Sequence, residues 1–142
     1  MIEGVLVTPL RRIEHPKGDI LHVLKRTAPG FAGFGEAYFS SVLAGEVKGW
    51  KRHQRVTLNI VVPVGRIRFT LHDRRTGSAT EGRFEAITLG PDNNARLTIP
   101  PGIWMAFAGA HAGPSLLLNI ADEEHDPQEA DKADLNEFEF RW

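Results

Sequence analysis

Apolar and polar residues alternate along most of this chain in short runs, and glycines and prolines separate the runs, as expected of half-buried antiparallel strands. Val56, Leu58, Ile60 and Val62 fall on one face of such a run, with Thr57, Asn59 and Val61 on the other. After Pro63-Val64-Gly65, residues Ile67, Phe69 and Leu71 alternate with Arg66, Arg68, Thr70 and His72, and the two runs predict a hairpin. Further strands are expected from Glu36 to Val42, Arg83 to Leu89, Arg96 to Ile99, Trp104 to Ala108 and Leu116 to Ile120. The turns between them are marked by Gly90-Pro91-Asp92-Asn93-Asn94 and Pro100-Pro101-Gly102. Residues 25–35 hold Pro29-Gly30-Phe31 and Gly33-Phe34-Gly35 and predict a loop into the strand that starts at Glu36. Strands at this spacing predict an all-β sandwich or jelly-roll barrel.

The rhythm breaks between Asp122 and Asn136, which are rich in Asp, Glu and Lys; this stretch is expected as a solvated surface element. Within it, Gln128 to Leu135 predicts a short C-terminal helical turn, after which Phe138, Phe140 and Trp142 alternate with Glu137, Glu139 and Arg141. The length of 142 residues predicts one domain, 1–142, large enough to bury a core without disulfides. The absence of cysteine removes thiol chemistry and Cys-based metal sites. A net charge of -1, from 17 basic and 18 acidic residues, argues against a dedicated nucleic-acid binder. Without a leader-like N-terminus or a long apolar run, the expectation is a cytoplasmic protein with no membrane partner.

Candidate chemistry concentrates in Val47-Lys48-Gly49-Trp50-Lys51-Arg52-His53-Gln54. Metal-binding cupins place two histidines one residue apart, a glutamate about six residues on and a last histidine after a Pro-x-Gly turn, so that imidazoles and a carboxylate converge on one ion. Here Lys51 takes the first position, His53 keeps the second, Asn59 stands at the glutamate and Met105 at the last, so no metal cofactor is expected. Residues two apart on a strand share a face, so Lys51 and His53 point the same way. Neighbouring cations disfavour each other's charged form, which makes either a candidate base, and a merely exposed basic strand end fits the same residues. Asn59, Arg68, Glu36 and Tyr38 are further polar candidates for the interior. Trp50 and Trp104 suit either stacking on a base or sugar or filling a core. Tyr38, the only tyrosine, suits a general acid or amphipathic packing. His15, His22, His72, His111 and His125 lack ligand spacing and are expected at the surface or in turns.

The order of several motifs resembles the dTDP-4-dehydrorhamnose 3,5-epimerases and related nucleotide-sugar epimerases and ketoisomerases, and the resemblance runs through nearly the whole chain. It is carried by Pro16-Lys17-Gly18-Asp19-Ile20, Phe34-Gly35-Glu36-Ala37-Tyr38-Phe39-Ser40, Lys48-Gly49-Trp50 with His53, and Thr57-Leu58-Asn59. His72-Asp73-Arg74-Arg75-Thr76-Gly77-Ser78, Ile99 to Phe107, His125-Asp126-Pro127 and Phe140-Arg141-Trp142 continue it. The resemblance implies a metal-free cupin jelly roll, a double-stranded β-helix, in a homodimer that shares strands. It also implies proton chemistry beside the ketone of a dTDP-4-keto-6-deoxy hexose, with a histidine base, a lysine that stabilises the enolate and a tyrosine acid. Lys17 and Lys48 fall at positions implied to hold the diphosphate, and Glu36 and Tyr38 at positions implied to contact the sugar nucleotide. The chain departs from the pattern at Lys51, where the base histidine would stand, at Thr57, near the lysine position, and in 116–126, which holds no tyrosine. Two expectations follow. Either Lys51, His53 and Tyr38 take over catalysis, with Asp134 a carboxylate partner and Lys17, Glu36, Lys48, Asn59, Arg68 and Trp104 binding substrate, or the protein binds a sugar nucleotide or glycan without turning it over.

Overall fold

The computed structural model describes residues 1–140, in which every regular element is a strand. In chain order these are β1 (Leu6–Pro9), β2 (Arg12–Ile13), β3 (Ile20–Leu21), β4 (Glu36–Val42), β5 (Val47–His53) and β6 (Leu58–Val64). They are followed by β7 (Ile67–Asp73), β8 (Phe84–Leu89), β9 (Ala95–Ile99), β10 (Ile103–Gly109), β11 (Ser115–Ala121) and β12 (Ala130–Lys132). Two five-stranded antiparallel sheets form, ordered β1-β9-β6-β11-β4 and β12-β5-β10-β7-β8, with β2 and β3 as a separate two-stranded ribbon. No helix occurs among the described residues, so none is long and apolar enough to cross a membrane.

The main core lies between the two sheets. Leu58, Ile60 and Val62 of β6, Leu97 and Ile99 of β9 and Leu117 of β11 meet Ile67, Phe69 and Leu71 of β7 and Ile103 of β10 in one cluster. Each such side chain, removed from water, contributes roughly 1.5–3 kcal/mol before the entropy of ordering it. A second cluster on the outer face of the second sheet gathers Trp50, Trp104, Ala106 and Phe138, with Phe84 and Phe140 packed against it. The C-terminal segment thus covers this sheet from outside.

The sheets differ from the sequence expectations in three respects. They remain two layers and do not close into a barrel. The hairpin expected from residues 56–71 does not form, because β6 belongs to the first sheet and β7 to the second. Both runs are apolar enough to be buried, and the chain crosses at Gly65-Arg66 so that they face each other through the core instead of pairing edge to edge. The helical turn expected at Gln128 to Leu135 is absent, and Ala130–Lys132 is a strand on the free edge of β5, in the register Ala130 to His53, Asp131 to Arg52 and Lys132 to Lys51. That edge offers unpaired backbone groups, and the Arg52 guanidinium reaches Asp131 Oδ2 at 2.7 Å, which favours extension over a local helix.

The strand at Glu36 to Val42 has the anticipated ends, and the loop at 25–35 precedes it. The surface reading of 122–136 fails at Glu129, which is buried. His72 is buried as well, its ring stacked on Phe84 with centroids 3.8 Å apart, and burial pushes its imidazole below the ordinary value. His15, His111 and His125 are exposed and His22 is half-buried. The alternation expected at Arg141 and Trp142 lies outside the described residues.

Candidate acid–base cavity

The cavity is built by a bulge in β5. Met105 stands opposite Lys51 and Phe107 opposite Lys48, so Gly49 and Trp50 together face the single residue Ala106. Gly49 has φ +136°, and a Cβ there would sit 2.6 Å from the Cα and Cβ of Ala106, so only glycine fits. The extra residue resets the alternation. Lys48, Lys51 and His53 all lie on the face of Met105 and Phe107, which pack against the core, while Trp50 and Arg52 turn outward. Arg52 lies over the Trp104 ring at 4.7 Å from its centroid.

These side chains line a cavity of about 1000 Å³. Tyr38 and Ser40 of β4 and Leu117 and Asn119 of β11 line it from the first sheet. Lys48, Lys51, His53, Met105 and Phe107 line it from the second, joined by Lys132 of β12. Lys132 is paired with Lys51 and therefore shares its face. Asp134, Glu137 and Phe138 of the C-terminal segment complete the lining together with Trp50, Arg52, Arg74 and Trp104. Lys48 Nζ donates to the backbone oxygen of Ser41 at 2.6 Å, linking the two sheets at this end. Among the described residues, none of Lys48, Lys51 and Lys132 forms an ion pair with a carboxylate. One wall of the cavity therefore carries three ammonium groups available to an anion.

His53 is the most constrained polar group of the cavity. Its Nδ1 lies 2.5 Å from Oε1 of Glu129, and Oε2 of the same carboxylate accepts the backbone N–H groups of Gln54 at 2.8 Å, Arg55 at 2.8 Å and Val56 at 3.2 Å. Burial alone would raise the Glu129 carboxyl, but the Arg55 N–H, the His53 ring and the Val56 N–H outweigh it and bring the group down to about 2. An ionised carboxylate at Nδ1 fixes the proton there and leaves Nε2 as the basic nitrogen.

Of the residues singled out in the sequence, Lys51, His53, Tyr38, Asp134, Lys48 and Trp104 come together around this cavity. Lys17, Glu36, Asn59 and Arg68 do not line it. Lys17 is exposed in the loop between β2 and β3. Glu36 begins β4 opposite Ala121. Asn59 lies on the outer face of β6, donating to Gly30 O and accepting from Arg96 Nε and Thr98 Oγ1, so its amide holds the 23–30 segment onto the sheet. Arg68 lies on the outer face of β7, 5.7 Å from the centroid of the Phe140 ring. The carboxylate that meets His53 is Glu129, whereas Asp134 stands on the segment that follows β12. Glu129, Lys132 and Asn119 escape sequence reasoning. Only strand pairing across some 75 residues brings Glu129 to His53, and nothing local to Lys132 separates it from the charged run around it. Among the described residues no group of three or more His, Asp or Glu gathers where it could hold a metal ion.

The class defined by this geometry is an all-β two-layer scaffold whose layers enclose an acid–base cavity. No protein-family model matches the chain. A dTDP sugar isomerase from Desulfovibrio desulfuricans G20 is 42% identical and superposes with a TM-score of 0.92 over 96% of this chain and 87% of that one. A probable low-salt glycan biosynthesis epimerase of Haloferax volcanii is 31% identical over 97 residues, 68% of this chain; the chain spans 62% of that relative's length. The dTDP-4-dehydrorhamnose 3,5-epimerase of Bacillus anthracis, solved with TDP and PPi bound, shares the fold, with a TM-score of 0.84 at 19% identity over 94% of this chain and 80% of that one. The chain belongs to the family of that dTDP sugar isomerase, and it shares its fold with the dTDP-4-dehydrorhamnose 3,5-epimerase.

The Glu129 contact has a pH signature. A carboxyl held at about 2 against an ordinary 4.5 adds stability that is fully present above pH 4.5 and is lost as the pH falls towards 2. Urea denaturation of wild type and Glu129→Gln should therefore give a stability gap that is widest above pH 4.5 and narrows on acidification; a gap that ignores pH would contradict the assignment.

Proposed function

We propose that this protein is a nucleotide-sugar epimerase or isomerase that acts on a 4-keto-6-deoxy hexose carried on dTDP, in a cupin-type jelly roll whose catalytic set differs from the family pattern. The observation that carries the reading is the His53–Glu129 pair, set in a cavity where Lys51 stands on the same wall and Tyr38 on the opposite one. His53 Nε2 takes the proton from the carbon next to the ketone, and the electron pair of that C–H bond moves onto the carbonyl oxygen. The Lys51 ammonium stabilises the resulting enolate, in a cavity where a fixed cation does so better than water. Tyr38 then returns a proton to the same carbon from the other face, the ketone reforms, and the configuration is inverted. Lys48 and Lys132 hold the diphosphate, and Asp134 and Trp104 close the cavity around the sugar nucleotide.

The reaction is tested by incubating the protein with a dTDP-4-keto-6-deoxy hexose in deuterated water and following the C3 and C5 protons by NMR. Wild type is expected to exchange at least one of them, His53→Ala to lose about 100-fold or more in rate and Lys51→Ala a comparable factor. Tight binding without exchange would instead favour a non-catalytic sugar-nucleotide binder.

We further propose a homodimer. Strand β4 is an unpaired sheet edge, and Phe34, Phe39 and Leu43 on or beside it are 69%, 64% and 61% exposed. Light scattering should give twice the chain mass for wild type and a shift towards the monomer for Phe39→Glu; a monomeric wild type at working concentrations would refute the assembly.

A further inference from the structure

The wall opposite His53 carries a polar pair with no counterpart in the sequence reading. Asn119 and Tyr38 face each other in register across β11 and β4, and Asn119 Nδ2 donates to the Tyr38 hydroxyl at 2.9 Å. Asn119 lies in a stripe whose other members, Ser115, Leu117 and Ala121, are as buried as it is, with Asn119 itself 3% exposed. An amide in such a stripe is costly unless both of its ends are used. The fold uses one end. Among the described residues Oδ1 has no partner, and of the buried side-chain atoms in that condition, Thr70 Oγ1, Asn94 Nδ2 and Asn119 Oδ1, only this one belongs to a residue that lines the cavity. Turning the amide over would leave Nδ2 as the end without a partner and make the phenol donate to Oδ1, so the orientation with Nδ2 on the hydroxyl is the one that leaves the phenolic proton free.

A leucine would fill the same space without that penalty. The amide is explained if its task is to hold the phenol. Tyr38 is 42% exposed, so a donor on its oxygen helps decide where the hydroxyl sits. With one oxygen lone pair occupied by the Asn119 N–H, the phenolic proton remains as the group that Tyr38 can offer to the cavity.

We propose that Asn119 is a positioning residue for Tyr38, holding the phenol oxygen on the first-sheet wall so that its proton is delivered to substrate there. This inference rests on the epimerase reading above for the identity of the proton acceptor, and on the hydrogen bond alone for the position of the phenol.

The single tyrosine makes the contact directly observable. Protein labelled with ¹³C at tyrosine Cζ gives one resonance, which should move in both Asn119→Leu and Asn119→Asp; the second variant keeps the size of the side chain and guards against a loss of packing. In the deuterium-exchange assay with a dTDP-4-keto-6-deoxy hexose, both variants should lose roughly tenfold or more in kcat with KM within about twofold. An unchanged Cζ resonance in both variants, or a moved resonance with the kcat of wild type, would overturn the assignment. A moved resonance in both variants of a protein whose wild type exchanges no substrate proton would uphold the positioning contact and remove the epimerase reading instead.

Discussion

One buried carboxylate organises the functional end of this protein. Glu129 sits 3% exposed between the end of β5 and the segment that leads into β12, a position that would be destabilising by several kcal/mol for an isolated charge. Three consecutive backbone N–H groups and an imidazole ring offset that cost. Because all four donors come from residues 53–56, the carboxylate fixes the C-terminal segment against β5 and orients the His53 ring in the same act. From that anchor β12 extends in register, Lys132 comes beside Lys51, and the chain goes on to lay Phe138 over Trp50 and Trp104.

The two-layer architecture then separates chemical tasks by wall. The second sheet presents the imidazole and the lysines, brought to one face by the bulge at Gly49; the first sheet presents Tyr38 and Asn119. A planar intermediate held between the layers would meet a base on one side and an acid on the other, which is the geometric requirement for inversion at carbon. Lys48, Lys51 and Lys132 line the cavity without a carboxylate ion pair among the described residues, so the charge arrangement fits an anionic substrate better than a neutral one.

How much of this was legible from sequence depends on the range of the interactions. The bounds of β4 and the shared face of Lys51 and His53 follow from period-two alternation, a local property, and they hold. The hairpin of residues 56–71 fails because alternation reports which face is buried but not which strand is the neighbour, and two equally apolar runs pair through the core as readily as edge to edge. The helical turn at Gln128 to Leu135 fails because a free sheet edge and the Arg52–Asp131 ion pair override weak local propensity. Asn59 and Arg68 looked like interior polar groups. Both sit on the outer faces of their strands, where Asn59 is consumed by Arg96, Thr98 and Gly30. Glu129 is hidden in an acidic run in which Glu123, Glu124, Asp126 and Asp134 are exposed and Asp122 and Asp131 half-buried; composition carries no mark of the one carboxylate that a distant strand end will bury.

The central claim is that Glu129 holds the proton of neutral His53 on Nδ1 and so makes Nε2 the base of the cavity. Nitrogen-15 NMR of the imidazole, in protein labelled on histidine and with His53→Gln to assign the signal, tests it directly. The account predicts that the neutral form of the ring carries its proton on Nδ1, with an unprotonated Nε2 that responds to ligand. A neutral ring carrying its proton on Nε2 would contradict it.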